Sequence, residues 1–167
     1  SGPGAGNYLT VGKCLNQIEN YFGKEALNKT FFHAHGTSTP QNRESESHII
    51  SSLAKTFNIN ALPVTAIKSY LGHSLAAAGG DQIISALGSW KNNWIPGITS
   101  TPALAEDVYS ENLNFLLKNL EFNDANFDFA ILNAKGFGGN NGTALIASPN
   151  KTMKMLEVKH STETIKK

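Results

Sequence analysis

An α/β fold with a mixed sheet is what this sequence predicts, on three observations. Apolar residues recur at steps of three and four in three separate segments, the spacing of one helix face. Short apolar runs of strand length alternate with those segments. Two final runs flank a glycine-rich stretch, as in a hairpin. Helices alternating with strands, then a closing hairpin, give an α/β layer whose strands run in both directions.

The first helix is predicted over about Asn7 to Phe22, with Tyr8, Val11, Leu15, Ile18 and Phe22 on its buried stripe. Cys14 lies beside that stripe and reads as a core residue, because cysteine is among the most buried residue types. A strand follows at Thr30 to Ala34 and runs into the loop His35-Gly36-Thr37-Ser38-Thr39-Pro40. The second helix spans about Arg43 to Phe57, burying Ile49, Ile50, Leu53, Ala54 and Phe57. Pro63 to Ile67 reads as a buried strand that delivers Lys68 to a turn at Gly72-His73. The third helix is predicted from Leu75 to Asn92, with Ile83, Ile84, Leu87 and Trp90 inward. Its Gly79-Gly80 pair costs about 1 kcal/mol per glycine against alanine, so another backbone is expected to approach closely there. The stretch from Pro96 to Asn112 is turn-rich, and Asn114 to Phe122 supplies a strand. Phe127 to Asn133 and Thr143 to Ala147 form the hairpin around Lys135-Gly136-Phe137-Gly138-Gly139-Asn140-Asn141-Gly142. The polar residues after Pro149 read as a tail.

Composition narrows the function classes. The 167 residues amount to about one domain, and 40% hydrophobic content supports a packed core. A net charge of +1 leaves no excess to steer nucleic acid or a membrane surface. The basic cluster Lys151, Lys154, Lys159, Lys166 and Lys167 reads as part of a solvated tail. One cysteine excludes an internal disulfide and a cysteine-rich metal site. No apolar run reaches the roughly 20 residues of a membrane span, and no signal-peptide pattern opens the chain. A soluble, cytoplasmic chain is therefore expected, and its abrupt start reads as that of a fragment.

The chemistry concentrates in three loops, each after a strand, where α/β folds place their sites. The first carries His35 and three hydroxyls, the second Lys68 and His73, the third backbone N–H groups and Phe137. Two imidazoles on separate loops could donate hydrogen bonds to a developing oxyanion or enolate. They could work as acid and base, or bind a metal together with His33. Residue types alone leave these three open. Zinc is disfavoured by the lack of a carboxylate or fourth ligand. Phosphate binding by the glycine loop is disfavoured because a strand, not a helix N-terminus, follows it. His33 and His48 read as structural residues, on a sheet face and a helix surface respectively, and His160 as part of the tail.

His-Gly-Thr-Ser-Thr-Pro at 35–40, Lys-Ser-x-x-Gly-His at 68–73 with Ala76-Ala77-Ala78-Gly79 after it, and Gly-Phe-Gly-Gly-x-Asn at 136–141 resemble the three C-terminal signatures of β-ketoacyl-(acyl carrier protein) synthases. Order and intervals match, and the resemblance covers residues 3 to 148, taken as one domain with a polar tail over 149–167. It implies a thiolase-like fold, of which this chain is the C-terminal half. It also implies decarboxylative condensation of a malonyl thioester on acyl carrier protein with an acyl primer held on a cysteine. By that resemblance His35 and His73 are the catalytic histidines, donating to the thioester oxygen. Lys68 and Glu46 form a supporting buried ion pair, which serves geometry more than stability. Thr37 and Thr39 bind the pantetheine arm, and Phe137 is the aromatic gate whose N–H joins the acyl oxyanion hole. No cofactor or metal is implied. The implied partners are the N-terminal half carrying the nucleophilic cysteine, acyl carrier protein, and a second copy of the full enzyme in a homodimer.

Four positions depart from the family pattern: His33, Arg43, Lys135 and Asn140. Arg43 stands where aspartate is usual and is expected in a local salt bridge. Lys135 stands where phenylalanine is common. The alternative to a catalytic half-enzyme is a non-catalytic, synthase-like partner or scaffold. Retention of both His35 and His73 favours the catalytic reading, since a scaffold has no need of them.

Overall fold

The computed structural model describes residues 4–123, 126–160 and 162–165; the expected domain start at residue 3 and the tail residues Lys166 and Lys167 lie outside them. Helix α1 (Ala5–Phe22) leads through a 3-10 segment (Lys24–Lys29) into β1 (Thr30–His33). Helix α2 (Pro40–Thr56) precedes β2 (Leu62–Thr65). A single turn, α3 (Lys68–Leu71), and a 3-10 turn at Leu75–Ala77 come before α4 (Ala78–Asn92). The chain continues through β3 (Trp94–Ile95), β4 (Leu113–Phe115) and β5 (Leu120–Glu121). It closes with β6 (Phe129–Lys135), β7 (Asn141–Ala147), α5 (Pro149–Lys159) and α6 (Thr162–Ile165).

The main sheet has the order β4-β2-β1-β6-β7. Its first four strands are parallel and β7 returns antiparallel to β6, so the sheet is mixed, as predicted. Strand alternation sorts the core into two layers. Phe32, Phe129 and Ile131 face α1 and α2, where Val11, Leu15, Ile18, Ile50 and Leu53 meet them. Phe31, Ala130 and Leu132 face α4, packing on Ala86 and Trp90. Cys14 is in the first layer, and burial raises its thiol pKa, as suits a core residue.

Five sequence expectations are corrected here. The inward face of α4 carries Ala78, Gln82, Ala86, Ser89 and Trp90. Ile83, Ile84 and Leu87 point outward, at 40%, 71% and 45% exposure. Periodicity marks which residues share a face but not what that face meets. A Cβ at Gly79 or Gly80 would meet nothing within 4 Å, so among the described residues no other element approaches them closely. The strand expected over Asn114 to Phe122 is split: β4 joins β2 in the main sheet, while β5 pairs with β3. The split turns on Gly97, where a Cβ would stand 2.4 Å from the Lys118 carbonyl carbon. Finally, residues expected as tail form α5, although none of its residues is buried. Ser148 accepts from the Lys151 N–H as N-cap and Pro149 takes N1, the usual start signal for a helix. Lys151 then pairs with Asp128 at 3.7 Å and lies over the Phe22 ring at 4.8 Å. At the other end of the chain, Tyr8 of the predicted stripe is exposed and Asn7 is fully buried in its place.

Candidate active site

Three strands end at one edge of the sheet and deliver the three loops there. β1 and β6 pair through His33↔Leu132, and β1 and β2 through His33↔Thr65. His35 follows β1, Lys68 follows β2, and Lys135 ends β6. The parallel ladder therefore fixes how these loops meet.

His35 is buried and His73 is exposed. Their ring centroids are 5.4 Å apart and the planes cross at 82°. Each ring is oriented by the main chain. The Lys135 N–H donates to His35 Nδ1 at 3.2 Å, and the Leu75 N–H donates to His73 Nδ1 at 3.0 Å. A neutral imidazole whose Nδ1 accepts must carry its proton on Nε2. Both histidines thus hold an Nε2–H donor, locked by backbone N–H groups. The loop of His73 is fixed further by Ser74, whose hydroxyl donates to Asp81 in the first turn of α4.

Glu46 and Lys68 both serve His35, but through its main chain. Glu46 is buried on α2 and accepts from the N–H groups of His35 at 2.8 Å and Gly36 at 3.1 Å. It also accepts from Asn42 at 3.1 Å and Asn133 at 2.6 Å. Lys68 Nζ donates to the His35 carbonyl at 2.6 Å. The expected direct Lys68–Glu46 ion pair is replaced by this arrangement, with the peptide groups of His35 held between the two charges. The reason is that backbone groups leaving a ladder need new partners. Burial pushes Lys68 below its ordinary pKa, and the charges of Glu46 and Asp81 oppose that push.

Asn7 and Asn133 are also buried, and neither is assigned a site role by the motifs. Asn7 Nδ2 donates to Asn133 Oδ1 at 2.6 Å, linking α1 to the Glu46 network. The available signal was a polar residue ending the apolar run Phe129 to Leu132. Thr37 and Thr39 lie on the loop after His35 with hydroxyl oxygens 3.4 Å apart. Phe137 opens a 3-10 turn (Phe137–Gly139) between β6 and β7; its side chain lies outside the described residues. Arg43 makes the expected local pair, a two-pronged contact with Asp107 at 2.7 Å for each bond. Among the described residues, no group of three or more His, Cys, Asp or Glu side chains could hold a metal ion. No helix among them is long and apolar enough to cross a membrane.

Gly36 shows how tightly the site is built. Its φ is +57°, and a Cβ there would stand 2.6 Å from the Ala66 Cβ. Gly36→Ala combines left-handed strain with overpacking against the β2 loop, and is expected to destabilise by about 2–4 kcal/mol. A urea titration measures this.

Burial pushes His35 down to about 4 from an ordinary 6.5, with Lys68, His73 and Lys135 lowering it further and Glu46 opposing. His33, fully buried beside Phe31, is pushed to about 3 by burial and by Lys68. Neither His33 ring nitrogen has a hydrogen-bond partner among the described residues. Both groups are neutral in the folded chain at pH 7. Because folding depresses these pKa values, the unfolded chain binds more protons below pH 6.5. Stability is fully present above that pH and falls as pH drops toward 4 and 3. Each histidine adds a slope of about 1.4 kcal/mol per pH unit inside its window. Denaturation midpoints between pH 7 and 4 should decline, and His33→Leu should make the decline shallower.

The family profile described as "Beta-ketoacyl synthase, C-terminal domain" matches residues 7–101. The chain is 43% identical over 161 residues to the β-ketoacyl-(acyl-carrier-protein) synthase FabY of Pseudomonas aeruginosa, covering 96% of this chain and 25% of that protein. It is 31% identical over 119 residues to 3-oxoacyl-(acyl-carrier-protein) synthase 2 of Coxiella burnetii, covering 70% of this chain and 27% of that one. The crystal structure of the noncanonical ketosynthase FabY from P. aeruginosa superposes with a TM-score of 0.91 at 42% identity, over 98% of this chain and 26% of that one. The chain thus spans about a quarter of the length of the curated relatives it matches.

Proposed function

Because the chain belongs to the β-ketoacyl synthase family, as its C-terminal domain with a thiolase-like fold, we propose that it supplies the malonyl-decarboxylating half of a 3-oxoacyl-(acyl carrier protein) synthase. The supporting observation is the pair of imidazoles 5.4 Å apart, each with Nδ1 filled by a main-chain N–H. Two neutral Nε2–H groups are suited to one oxygen that gains charge only along the reaction path.

The chemistry then runs as follows. The malonyl thioester of an acyl carrier protein enters past Thr37 and Thr39, which bind its pantetheine arm. The bond between the methylene and carboxylate carbons breaks, carbon dioxide leaves, and the electron pair passes into an enolate. His35 and His73 donate to the enolate oxygen. The methylene carbon attacks the acyl thioester on a cysteine of the N-terminal half. The C–S bond breaks, the cysteine departs as thiolate, and a β-ketoacyl thioester remains on the carrier protein. Lys68 and Glu46 keep His35 in place throughout, and the Phe137 N–H serves the acyl oxyanion. The outward stripe of Ile83, Ile84 and Leu87 on α4 fits an N-terminal half packed on that face. The full enzyme pairs as a homodimer.

The test begins with whatever polypeptide co-purifies with this chain, identified by intact mass. A partner or continuous chain with a reactive cysteine, and condensation of malonyl-carrier protein with an acyl primer, is the expected result. A soluble monomer of this chain, with no partner or continuous chain bringing the cysteine, would overturn the half-enzyme reading and move the assignment to a self-sufficient binding domain.

A further inference from the structure

Gln82 has no part in the roles implied by the motifs, yet it is 1% exposed and sits on α4 directly beneath the site. Its side-chain Nε2 donates to two carbonyls at once, Ala34 at 3.0 Å and Asn133 at 2.9 Å. These carbonyls follow directly on the last β1–β6 pair, His33↔Leu132. Ala34 is the residue before His35, and Asn133 stands two before Lys135. The contact that fixes the His35 tautomer is the Lys135 N–H to Nδ1 bond, immediately beyond this bridge. One amide therefore sets the spacing of the two backbones across which that bond must form. Asp81, the preceding residue, holds Ser74 beside His73.

We propose that Gln82 is a positioning residue for the reaction: its two N–H bonds hold the ends of β1 and β6 at the separation that keeps His35 as an Nε2–H donor, while its neighbour Asp81 anchors the loop of His73. The first turns of α4 thus set both imidazoles from one rigid element. This rests on the functional reading above. A side chain of equal length without an N–H donor at position 82 would leave the Ala34 and Asn133 carbonyls without this partner and their spacing unset.

The experiment uses the full-length enzyme and three variants, Gln82→Met, Gln82→Asn and His35→Ala. Malonyl-carrier protein decarboxylation and acyl transfer to the nucleophilic cysteine are followed separately. In Gln82→Met, kcat for decarboxylation should fall at least about 10-fold with KM little changed and acyl transfer at the normal rate. Should the Met variant not fold, Gln82→Asn keeps the amide at a shorter reach and should show the same split at smaller size. Equal loss in both half-reactions, or none in either variant, would overturn the proposal. The histidine ring 15N spectrum gives a reading independent of turnover. His35 should show one Nε2–H tautomer in the parent and a mixture in Gln82→Met; an unchanged pattern would overturn the positioning role. Full decarboxylation by His35→Ala would instead sink the functional reading itself, with the 15N result still judging Gln82.

Discussion

Replacing either His35 or His73 by alanine is expected to lower malonyl decarboxylation by the full-length enzyme about 100- to 1,000-fold, the usual cost of removing one oxyanion donor. The loss should fall on kcat, because the charge these donors meet is absent from the bound ground state. Acyl transfer to the cysteine should persist in His73→Ala, whose exposed loop carries little of the core. His35→Ala removes a buried ring and the acceptor of the Lys135 N–H, so some stability should go with it. The double variant should be little worse than the poorer single one, since two donors on one oxygen act as a unit. Decarboxylation near the parental rate in both single variants would reject the enolate-stabilising roles.

The second large effect is expected at Glu46. This carboxylate accepts four hydrogen bonds from the His35 and Gly36 backbones and from Asn42 and Asn133. Glu46→Leu leaves the two N–H groups without an acceptor, leaves the Asn133 amide only its longer bond to Asn7 Oδ1 at 3.3 Å, and leaves Asp81 as the remaining opposite charge acting on Lys68. A loss of about 3–5 kcal/mol follows, the scale on which buried charged networks fail when one member is removed. Glu46→Gln keeps the shape but faces an NH2 group toward other donors, and about 2 kcal/mol is expected. Urea midpoints at constant m-value would measure both. A loss under about 1 kcal/mol in Glu46→Leu would mean the network is not holding the loop.

The motifs marked in the sequence the three loops that the structure brings together. His35, Lys68 and His73 lie on loops from one sheet edge, and the two imidazoles face each other. What sequence did not reveal is how the charges reach the histidine. A lysine and a glutamate suggest a pair, yet both attach to the peptide groups of His35. Nothing in residue types reports which backbone groups a ladder leaves unpaired at its end. The orientation of α4 was hidden for a different reason. Ile83, Ile84 and Leu87 carry the periodic signal, while the sheet-facing side is built from Ala78, Gln82, Ala86 and Ser89. The apolar stripe is genuine, but a hydropathy pattern does not name the surface it meets. With α5, polar composition outweighed a Ser-Pro start signal that local physics supports.

The main-chain anchoring of the two imidazoles bears on how this family can diversify. The groups that hold both tautomers are the amides of Lys135 and Leu75, which every residue except proline provides. The side chain at 135 is free for other work, and here Lys135 Nζ donates to Asn42 Oδ1 at 3.0 Å on α2. A lysine can therefore stand where phenylalanine is common without loss of the proton arrangement. At position 135 the backbone N–H holds the imidazole, and the side chain is left to tie β6 to α2.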